Sequence, residues 1–479
     1  MKKGIMFIVL GLGLGDEGKG TIIDYLTRRY KIPLIIKTGG PQQAHNVVEP
    51  NGRWHCFSQF SSGTLSPGTK TFLSKGMLIE PGNLLREFYA LREKGEKNAL
   101  ARIVIDADAT IVTPLEKMVS QMREISRGED RFGSCGMGVG ETVFDRENGL
   151  AVTFRDALDE KKLRKKLKVI SATKIAEAEE IIKQYPSQET MSTYQSFKDL
   201  IEINKLFQFY RNFVKATGIP IETTRNYLRN ALENNIPLIF EGTQGALLDK
   251  TYGFSPYITK TKTTFRLAEE LLGMNLKDQF LKQKYNVKKV GVIKAFATRH
   301  GMGPFVTEDA NLANHFKDDY NIENRWQGKL RFGWFDILAT RYGIMVNEGI
   351  DYIALTNLDQ LSGLETVKFC TSYQYEGNLN VLDPYFTWEA MDDDKAKITA
   401  FKKPDTTLNE VAQILFHCKP LEFKKLAGWN EDITKTKKIE ELPIQAQECI
   451  KFLQSNKGLN SPIKIISVNP TWNGKIKNP

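Results

Sequence analysis

Apolar positions along the chain fall into short unbroken runs, separated by longer stretches of helical periodicity. Residues 5–10 form an apolar run that ends in glycines and reads as a buried strand. After Gly18, the residues Ile22, Tyr25 and Leu26 recur at helical spacing, which predicts a helix starting there. Runs at 33–36, 102–105, 237–240, 290–293 and 352–355 predict further strands, many of them separated by helical segments. Strands without alternation, interleaved with helices, predict an α/β fold with a large, mainly parallel sheet covered by helices. Residues from about 158 to 234 are rich in Lys, Glu and Leu and read as wholly helical, an insertion packed on the sheet. With no internal repeat, low-complexity linker or clear boundary, residues 1–479 read as a single large domain.

Composition narrows the class. At 41% apolar and 26% charged residues the chain can bury a sizeable core, which excludes disordered and fibrous proteins. A net charge of +10 suits anionic ligands such as nucleotides. The densest basic stretch, Lys161-Lys162-Leu163-Arg164-Lys165-Lys166, falls in a helical segment and reads as a solvated face rather than a nucleic-acid site. No apolar run reaches the roughly 18 residues of a membrane span. The Met1-Lys2-Lys3 start is not followed by a cleavage-type segment. Five widely spaced cysteines without a CxxC pair point to a reducing, cytoplasmic setting.

The first chemical signal is Gly13-Leu14-Gly15-Asp16-Glu17-Gly18-Lys19-Gly20-Thr21, between the first strand and the first helix. Such glycines free backbone N–H groups to face phosphate oxygens, the helix start adds positive potential, and Lys19 can reach a terminal phosphate. The loop fits a dinucleotide fingerprint, yet no acidic residue follows at the ribose-binding position; the second run leads into Lys37-Thr38-Gly39-Gly40. It also fits the Walker A spacing, with Gly20 where a Mg2+-binding Ser or Thr is required. Asp16, inside the loop, can supply the missing metal ligand.

Gly15-Asp16-Glu17-Gly18-Lys19-Gly20 resembles the signature loop of adenylosuccinate synthetases, and further blocks agree in order. Gly39-Gly40-Pro41-Gln42-Gln43-Ala44-His45 is similar to the family's second glycine-rich segment, and Phe240-Glu241-Gly242-Thr243-Gln244-Gly245 to its Glu-Gly-Ala-Gln-Gly motif. Pro256-Tyr257-Ile258-Thr259, the stretches 294–299 and 303–308, Gly333-Trp334-Phe335-Asp336, Asn357-Leu358-Asp359 and Gly428-Trp429 continue the match, which runs from about residue 4 to 470. The resemblance implies a homodimeric, GTP-dependent ligase that phosphorylates the purine 6-oxo group of IMP and lets the amine of aspartate displace phosphate. It implies that Asp16 takes the purine N1 proton and, with Ala44, binds Mg2+, while Lys19 and His45 stabilise the transferring phosphoryl group. By the same resemblance Gly15, Glu17, Gly18, Gly20, Thr21, Ala44, Asn46, Arg331, Asn357, Asp359, Ser467 and Asn469 would contact nucleotide, Asp359 as the guanine reader. Gln42, Gln43, Cys135, Gln244, Thr259, Lys329 and Arg331 would contact the other substrates.

The sequence departs from the family in four places. The Thr-Thr-Gly-Arg-Gly phosphate segment reads Ser134-Cys135-Gly136-Met137-Gly138, and the following stretch is shortened, leaving Arg146 as the candidate ligand for a partner subunit's site. Asn357 replaces a lysine before the guanine reader. The amino-acid loop reads Trp326-Gln327-Gly328-Lys329-Leu330-Arg331-Phe332, keeping two cations and losing two hydroxyls. These changes leave open a relative acting on a 2-aminopurine nucleotide such as dGMP, with an adenine donor or another amino acid. A catalytically silent nucleotide-binding protein is the rival of another class, and Asp16, Lys19 and His45 together argue against it.

Overall fold

The computed structural model describes residues 3–316, 325–403 and 410–478. Ten strands build the central sheet: β1 (Gly4–Gly11), β2 (Leu34–Gly39), β3 (Lys70–Ile79), β4 (Ile103–Asp106), β5 (Ile221–Glu222), β6 (Leu238–Gly245), β7 (Tyr285–Lys294), β8 (Tyr352–Thr356), β9 (Ile463–Ser467) and β10 (Lys475–Lys477). An eleventh, Thr110–Ile111, pairs with the end of β3. The spatial order is β10-β9-β8-β7-β1-β6-β2-β3-β4-β5. Every neighbouring pair on this path is parallel except β9 and β10. β1 lies between β7 and β6, with Val9 level with both Val290 and Glu241. The chain leaves β1 toward one half of the sheet and later returns to build the other. This makes β1 the topological switch point, outside whose carboxyl end ligands bind in open α/β sheets.

The six apolar runs of the sequence are strands here. β3 escapes that reading because Ser74, Lys75 and Gly76 interrupt its apolar pattern. The stretch read as wholly helical contains the helices Glu160–Gln184, Gln188–Phe197, Ile203–Thr217 and Thr224–Glu233, but also β5, which closes the sheet edge against β4. Leu163, Leu167, Ile170 and Ala178 recur on one face of the long helix and are buried against Met118, Met122, Phe207 and Tyr210. The opposite face carries the basic run, with Lys161, Lys162, Arg164 and Lys165 exposed. A second, five-stranded sheet, absent from the sequence reading, joins Phe335–Asp336, Thr366–Glu376, Phe386–Asp392, Lys395–Phe401 and Cys418–Ala427. The five cysteines are free thiols. No helix of the described residues is long and apolar enough to cross a membrane.

One buried cation fastens the insertion. Lys174 is 0% exposed, and its ammonium lies 2.9 Å from Asp145, 3.0 Å from Glu177 and 3.5 Å from Glu141, joining the long helix to the helix Val139–Glu147. Removing one side of a buried pair strands the other charge, at a cost of about 3–5 kcal/mol. Lys174→Met is therefore expected to lower unfolding stability by an amount of that order while activity per folded molecule survives. Urea unfolding monitored beside specific activity checks it, and an unchanged midpoint would refute the fastening role.

Candidate functional site

The carboxyl ends of β1, β2, β6, β7, β8 and β9 open on one cleft of about 410 Å³. From the loop after β1 come Gly15, Asp16 and Gly18, followed by Lys19, Gly20 and Thr21 at the start of the helix α1 (Lys19–Tyr30). Gln42, Gln43, Ala44, His45 and Asn46 arrive after β2, Gln244 from the end of β6, Asn357 and Asp359 after β8, and Ser467 and Asn469 from the end of β9. Sixteen of the residues expected from the sequence thus line a single space. Three of them, Asp16 (φ 57°), Gln244 (φ 46°) and Asn357 (φ 56°), hold the left-handed backbone conformation. Each such residue costs on the order of 1 kcal/mol or more, and strain gathered in a cleft is characteristic of a working site.

Glu17 corrects the expectation for the glycine loop. It does not face the cleft: its carboxylate turns inward, 3% exposed, and accepts from the N–H groups of Gly13 (3.0 Å) and Gly15 (2.9 Å) and from the Lys19 ammonium (2.6 Å). A Cβ on Gly11 would fall 2.1 Å from this carboxylate, and one on Gly245 2.4 Å from it, so these glycines make room for the brace. Two loop amides are thereby spent on protein, and Lys19 is fixed in place rather than left mobile. Gly18, at the N-cap of α1, supplies no side-chain cap, so the amides of the first turn remain for an anionic ligand.

Beyond the loop, His45 is oriented by a carboxylate. Its Nδ1 lies 2.7 Å from Glu241 Oε1. That oxygen also accepts from the Lys37 ammonium (2.9 Å) and the Ser62 hydroxyl (2.8 Å), while Oε2 accepts from the Ser62 N–H (3.0 Å). An ionised carboxylate only accepts, so Nδ1 carries a proton and Nε2 is left for another partner. Burial pushes the His45 pKa down against the opposing pull of Glu241. Burial opposes ionisation of Glu241 as well, yet Lys37 and His45 outweigh it and hold its carboxyl well below the usual range.

Asp16 has a partner the sequence reading missed. His300 Nε2 lies 3.2 Å from Asp16 Oδ2. Burial alone would raise the Asp16 pKa, but the His300 hydrogen bond and the charges of His300, Lys294 and Lys19 hold it below the ordinary value. His300 and Lys294 both line the cleft. Lys294 opens one matched block, and His300 falls in the gap between two; a titratable ring beside the Gly301-Met302-Gly303 turn was the available signal.

Five expected contacts lie outside the cleft lining. Glu17 is the brace just described. Cys135 sits behind the loop where the Trp326 ring covers Gly136, whose added Cβ would meet that ring at 3.1 Å, and burial pushes its thiol up to about 11. Thr259 bonds Thr261 (3.1 Å), whose hydroxyl reaches Gln244 at 3.5 Å, so it supports that side chain from behind. Lys329 is exposed. Arg331 is taken up by Glu308 (Nε to Oε1, 2.9 Å) and by the carbonyls of Gly301 (3.2 Å) and Gly303 (3.0 Å). Asp359 is no helix cap, since Asn357 occupies the cap of the short helix Leu358–Leu361. Burial pushes the Asp359 carboxyl up to about 6.

A phosphate loop and helix start at the switch point of a parallel sheet, facing a carboxylate and a carboxylate-oriented histidine, define a nucleotide-dependent enzyme built for phosphoryl chemistry. The family model described as adenylosuccinate synthetase matches residues 8–476, and the chain belongs to that family. The adenylosuccinate synthetase of Alkaliphilus metalliredigens is 29% identical over 479 residues, with 98% of each chain covered. That of Caldanaerobacter subterraneus is 28% identical, covering 97% of this chain and 96% of its own. The fully ligated adenylosuccinate synthetase of Plasmodium falciparum shares the fold, with a TM-score of 0.77 at 24% identity, covering 99% of this chain and 100% of its own. So does the cyanophage S-2L succinoaminodeoxyadenylate synthetase bound to dGMP and dATP, with a TM-score of 0.55 at 13% identity, covering 100% and 96%. The family forms a carbon–nitrogen bond, ligating aspartate to IMP at the expense of GTP.

His45→Ala is expected to lower turnover by roughly 10²–10³ with a small change in melting temperature, because the site loses a group aimed at developing charge. Glu241→Gln is expected to do more: it leaves the Lys37 ammonium buried without its counter-charge, costing about 3–5 kcal/mol of stability. Melting curves and specific activity of the two variants, measured together, separate the roles; equal thermal losses would make His45 a packing residue.

Proposed function

We propose that this chain carries out its family's reaction on IMP, GTP and aspartate, as a homodimer, with Asp16 and His45 as the catalytic pair. The observation that carries the reading is the convergence of Asp16, His45, Gln244 and Asp359 on one cleft. A purine 6-oxo group leaves poorly. Removal of the N1 proton by Asp16 pushes charge onto O6, which then attacks the γ-phosphorus of the donor and releases the nucleoside diphosphate. The amine of the amino acid next attacks C6, and phosphate departs with the former 6-oxygen. An Asp16 held ionised accepts that proton, and its low basicity is offset by the simultaneous attack of O6. His45, steered by Glu241, presents Nε2 to the phosphoryl group, whose negative charge draws a proton onto it. Gln244, backed by Thr243, Thr261 and Thr259, offers its amide to the purine nucleotide.

Mg2+ fits this donor set. Asp16 offers a carboxylate and Ala44 a main-chain carbonyl, and no group of three or more His, Cys, Asp or Glu that could hold a metal occurs among the described residues. One or two protein oxygens completed by phosphate and water is the usual Mg2+ arrangement. When bound, the ion neutralises charge on the phosphates.

A matrix of phosphate-release assays tests the reading: IMP or dGMP as acceptor, GTP or ATP as donor, with and without aspartate. Aspartate-dependent release with IMP and GTP is expected. Preference for dGMP with an adenine donor would instead align the chain with the activity in which the cyanophage enzyme's bound nucleotides are used. Asp16→Asn is expected to abolish release while nucleotide affinity stays within about tenfold, since binding rests on backbone amides and Lys19. Retained turnover in that variant would remove Asp16 as the base.

The amino-acid end yields a separate expectation. Arg331 is the cation nearest in pattern to the family's carboxylate-binding arginines, and here Glu308 already occupies it. An incoming carboxylate must compete with Glu308, and two hydroxyls have given way to Trp326 and Gln327, so aspartate is expected to saturate only at a raised KM. Arg331→Ala should raise that KM a further tenfold or more, in line with about 1.5–3 kcal/mol for a hydrogen bond to a charged group. Glu308→Gln should lower it. Aspartate titrations at saturating nucleotides decide the matter, and an unchanged KM in Arg331→Ala would leave Arg331 as a loop brace alone.

A further inference from the structure

His300 reaches the cleft from the turn 299–304, whose backbone is fastened by two arginines. Arg299, buried, donates to the carbonyls of Met302 (3.2 Å) and Pro304 (3.2 Å). Arg331 donates to those of Gly301 (3.2 Å) and Gly303 (3.0 Å). The two arginines stand opposite each other in a short antiparallel ladder, Ala297–Arg299 against Arg331–Gly333. On the far side the Met302 N–H donates to the Phe132 carbonyl (3.3 Å), and a Cβ added to Gly133 would fall 2.5 Å from the Gly301 Cα. Gly301 (φ 69°) and Gly303 (φ 115°) hold backbone conformations that other residues rarely adopt, which gives the turn its sharp path. None of these ties involves the His300 ring, so the ring is carried by the turn rather than needed to close it.

Its counterpart is anchored only through the backbone. Asp16 sits in the left-handed conformation (φ 57°), between a Gly15 amide held by Glu17 and the start of α1. Its carboxylate is not drawn into that brace. It projects into the cleft with the side chain 26% exposed, and there the His300 Nε2 lies 3.2 Å from Oδ2. An ionised carboxylate only accepts, so the ring donates. The last torsion of an aspartate is soft, and a fixed backbone does not by itself set where its two oxygens point. A donor on a braced turn, engaging one oxygen, does set it, and leaves Oδ1 for another donor.

We propose that His300 is a positioning residue for the proton transfer: its Nε2–H holds Oδ2 of Asp16 so that Oδ1 is presented to the purine N1–H. The proposal rests on the reading of Asp16 as the base. It applies to any acceptor with a 6-oxo group and an N1 proton, IMP or dGMP alike. In the step the N1–H bond breaks, the Oδ1–H bond forms, and the electron pair left on the ring builds negative charge on O6. The hydrogen bond from His300 stays on Oδ2 throughout. The imidazole neither gives up nor takes a proton, so an amide N–H reaching the same point serves in its place. A base misplaced by about 1 Å loses on the order of 10²-fold in rate, and that loss falls on kcat, because His300 is not asked to hold either nucleotide.

The test measures melting temperature, kcat, and KM for acceptor and donor in wild type, His300→Val, His300→Ala, His300→Gln and Asp16→Asn, using whichever of IMP or dGMP and of GTP or ATP the wild type turns over best. Valine and alanine remove the donor; glutamine places an amide N–H near the position of Nε2. The expected result for His300→Val and His300→Ala is a kcat lowered roughly 10- to 100-fold, with both KM values within about threefold of wild type. Melting temperature should stay within a few degrees, and His300→Gln should recover kcat to within about fivefold of wild type. An unchanged kcat in the valine and alanine variants overturns the proposal, and so does a raised one, which would make the ring a screen over Asp16. A loss confined to KM, or a glutamine variant no better than valine, overturns it as well. If His300→Val does not fold, His300→Ala against His300→Gln decides by the same criteria. Inactive Asp16→Asn beside fully active His300 variants sinks the proposal and leaves the reading of Asp16 standing. Turnover retained in Asp16→Asn removes that reading and the proposal with it.

Discussion

A carboxylate buried in the middle of a parallel sheet is tolerable only when cations and N–H donors close around it, and Glu241 meets that condition with contacts from three separate segments. Lys37 stands level with it on the neighbouring strand. Ser62 contributes an N–H and a hydroxyl, and His45 a ring nitrogen. Both ends of the Lys37–Glu241 pair are fully buried, so loss of either partner would strand a charge in low dielectric. The pair thus fixes the register of β2 against β6 and, in the same geometry, the aim of the histidine that follows β2. Sheet assembly and site assembly share this contact.

Glu17 repeats the device at smaller scale. Its carboxylate holds the loop amides of Gly13 and Gly15 and the Lys19 ammonium before any ligand arrives. Both carboxylates face inward, away from the cleft, and each fixes a group that borders it. The price is a pair of anions near a site for anions; the return is geometry that needs little rearrangement when charge develops. Asp16, by contrast, reaches into the cleft on a strained backbone and meets His300 and Lys294 there. The same loop therefore carries one acid that braces the site and, next to it, one acid that faces the cleft.

That division explains which parts of the molecule were readable from the sequence. Apolar runs revealed β1, β2, β4, β6, β7 and β8, since strands buried on both faces carry no competing period. They missed β3, broken by Ser74-Lys75-Gly76, and the second sheet, whose half-exposed strands such as Cys418–Ala427 show only a weak pattern. Glycine-rich spacing marked the loops after β1 and β2, because their shape is local. Which way a side chain turns is not local: Glu17 and Asp16 are adjacent, and only the space left by Gly11 and Gly245 sends Glu17 inward. The pairing of Arg331 with Glu308 and of His300 with Asp16 went unread, because each depends on a partner distant in sequence.

The turn 299–304 differs from the phosphate loop in how its order is maintained. Two arginines share the carbonyls of one turn: Arg331 takes Gly301 and Gly303, while Arg299 takes Met302 and Pro304. Arg299 is buried and forms no ion pair among the described residues, and burial pushes its pKa down to about 9. Arg331 keeps its counter-charge in Glu308. Nearby, Arg325 stacks on Trp326 and pairs with Glu189 on the helix Gln188–Phe197 of the insertion. This region is held by guanidinium groups reaching backbone oxygens and surface acids, contacts that a free carboxylate can rival. The buried carboxylates Glu17 and Glu241 offer no such opening. A chain built in this way fixes its phosphate loop and His45 through buried charge and leaves Arg331 in contacts that another anion can replace.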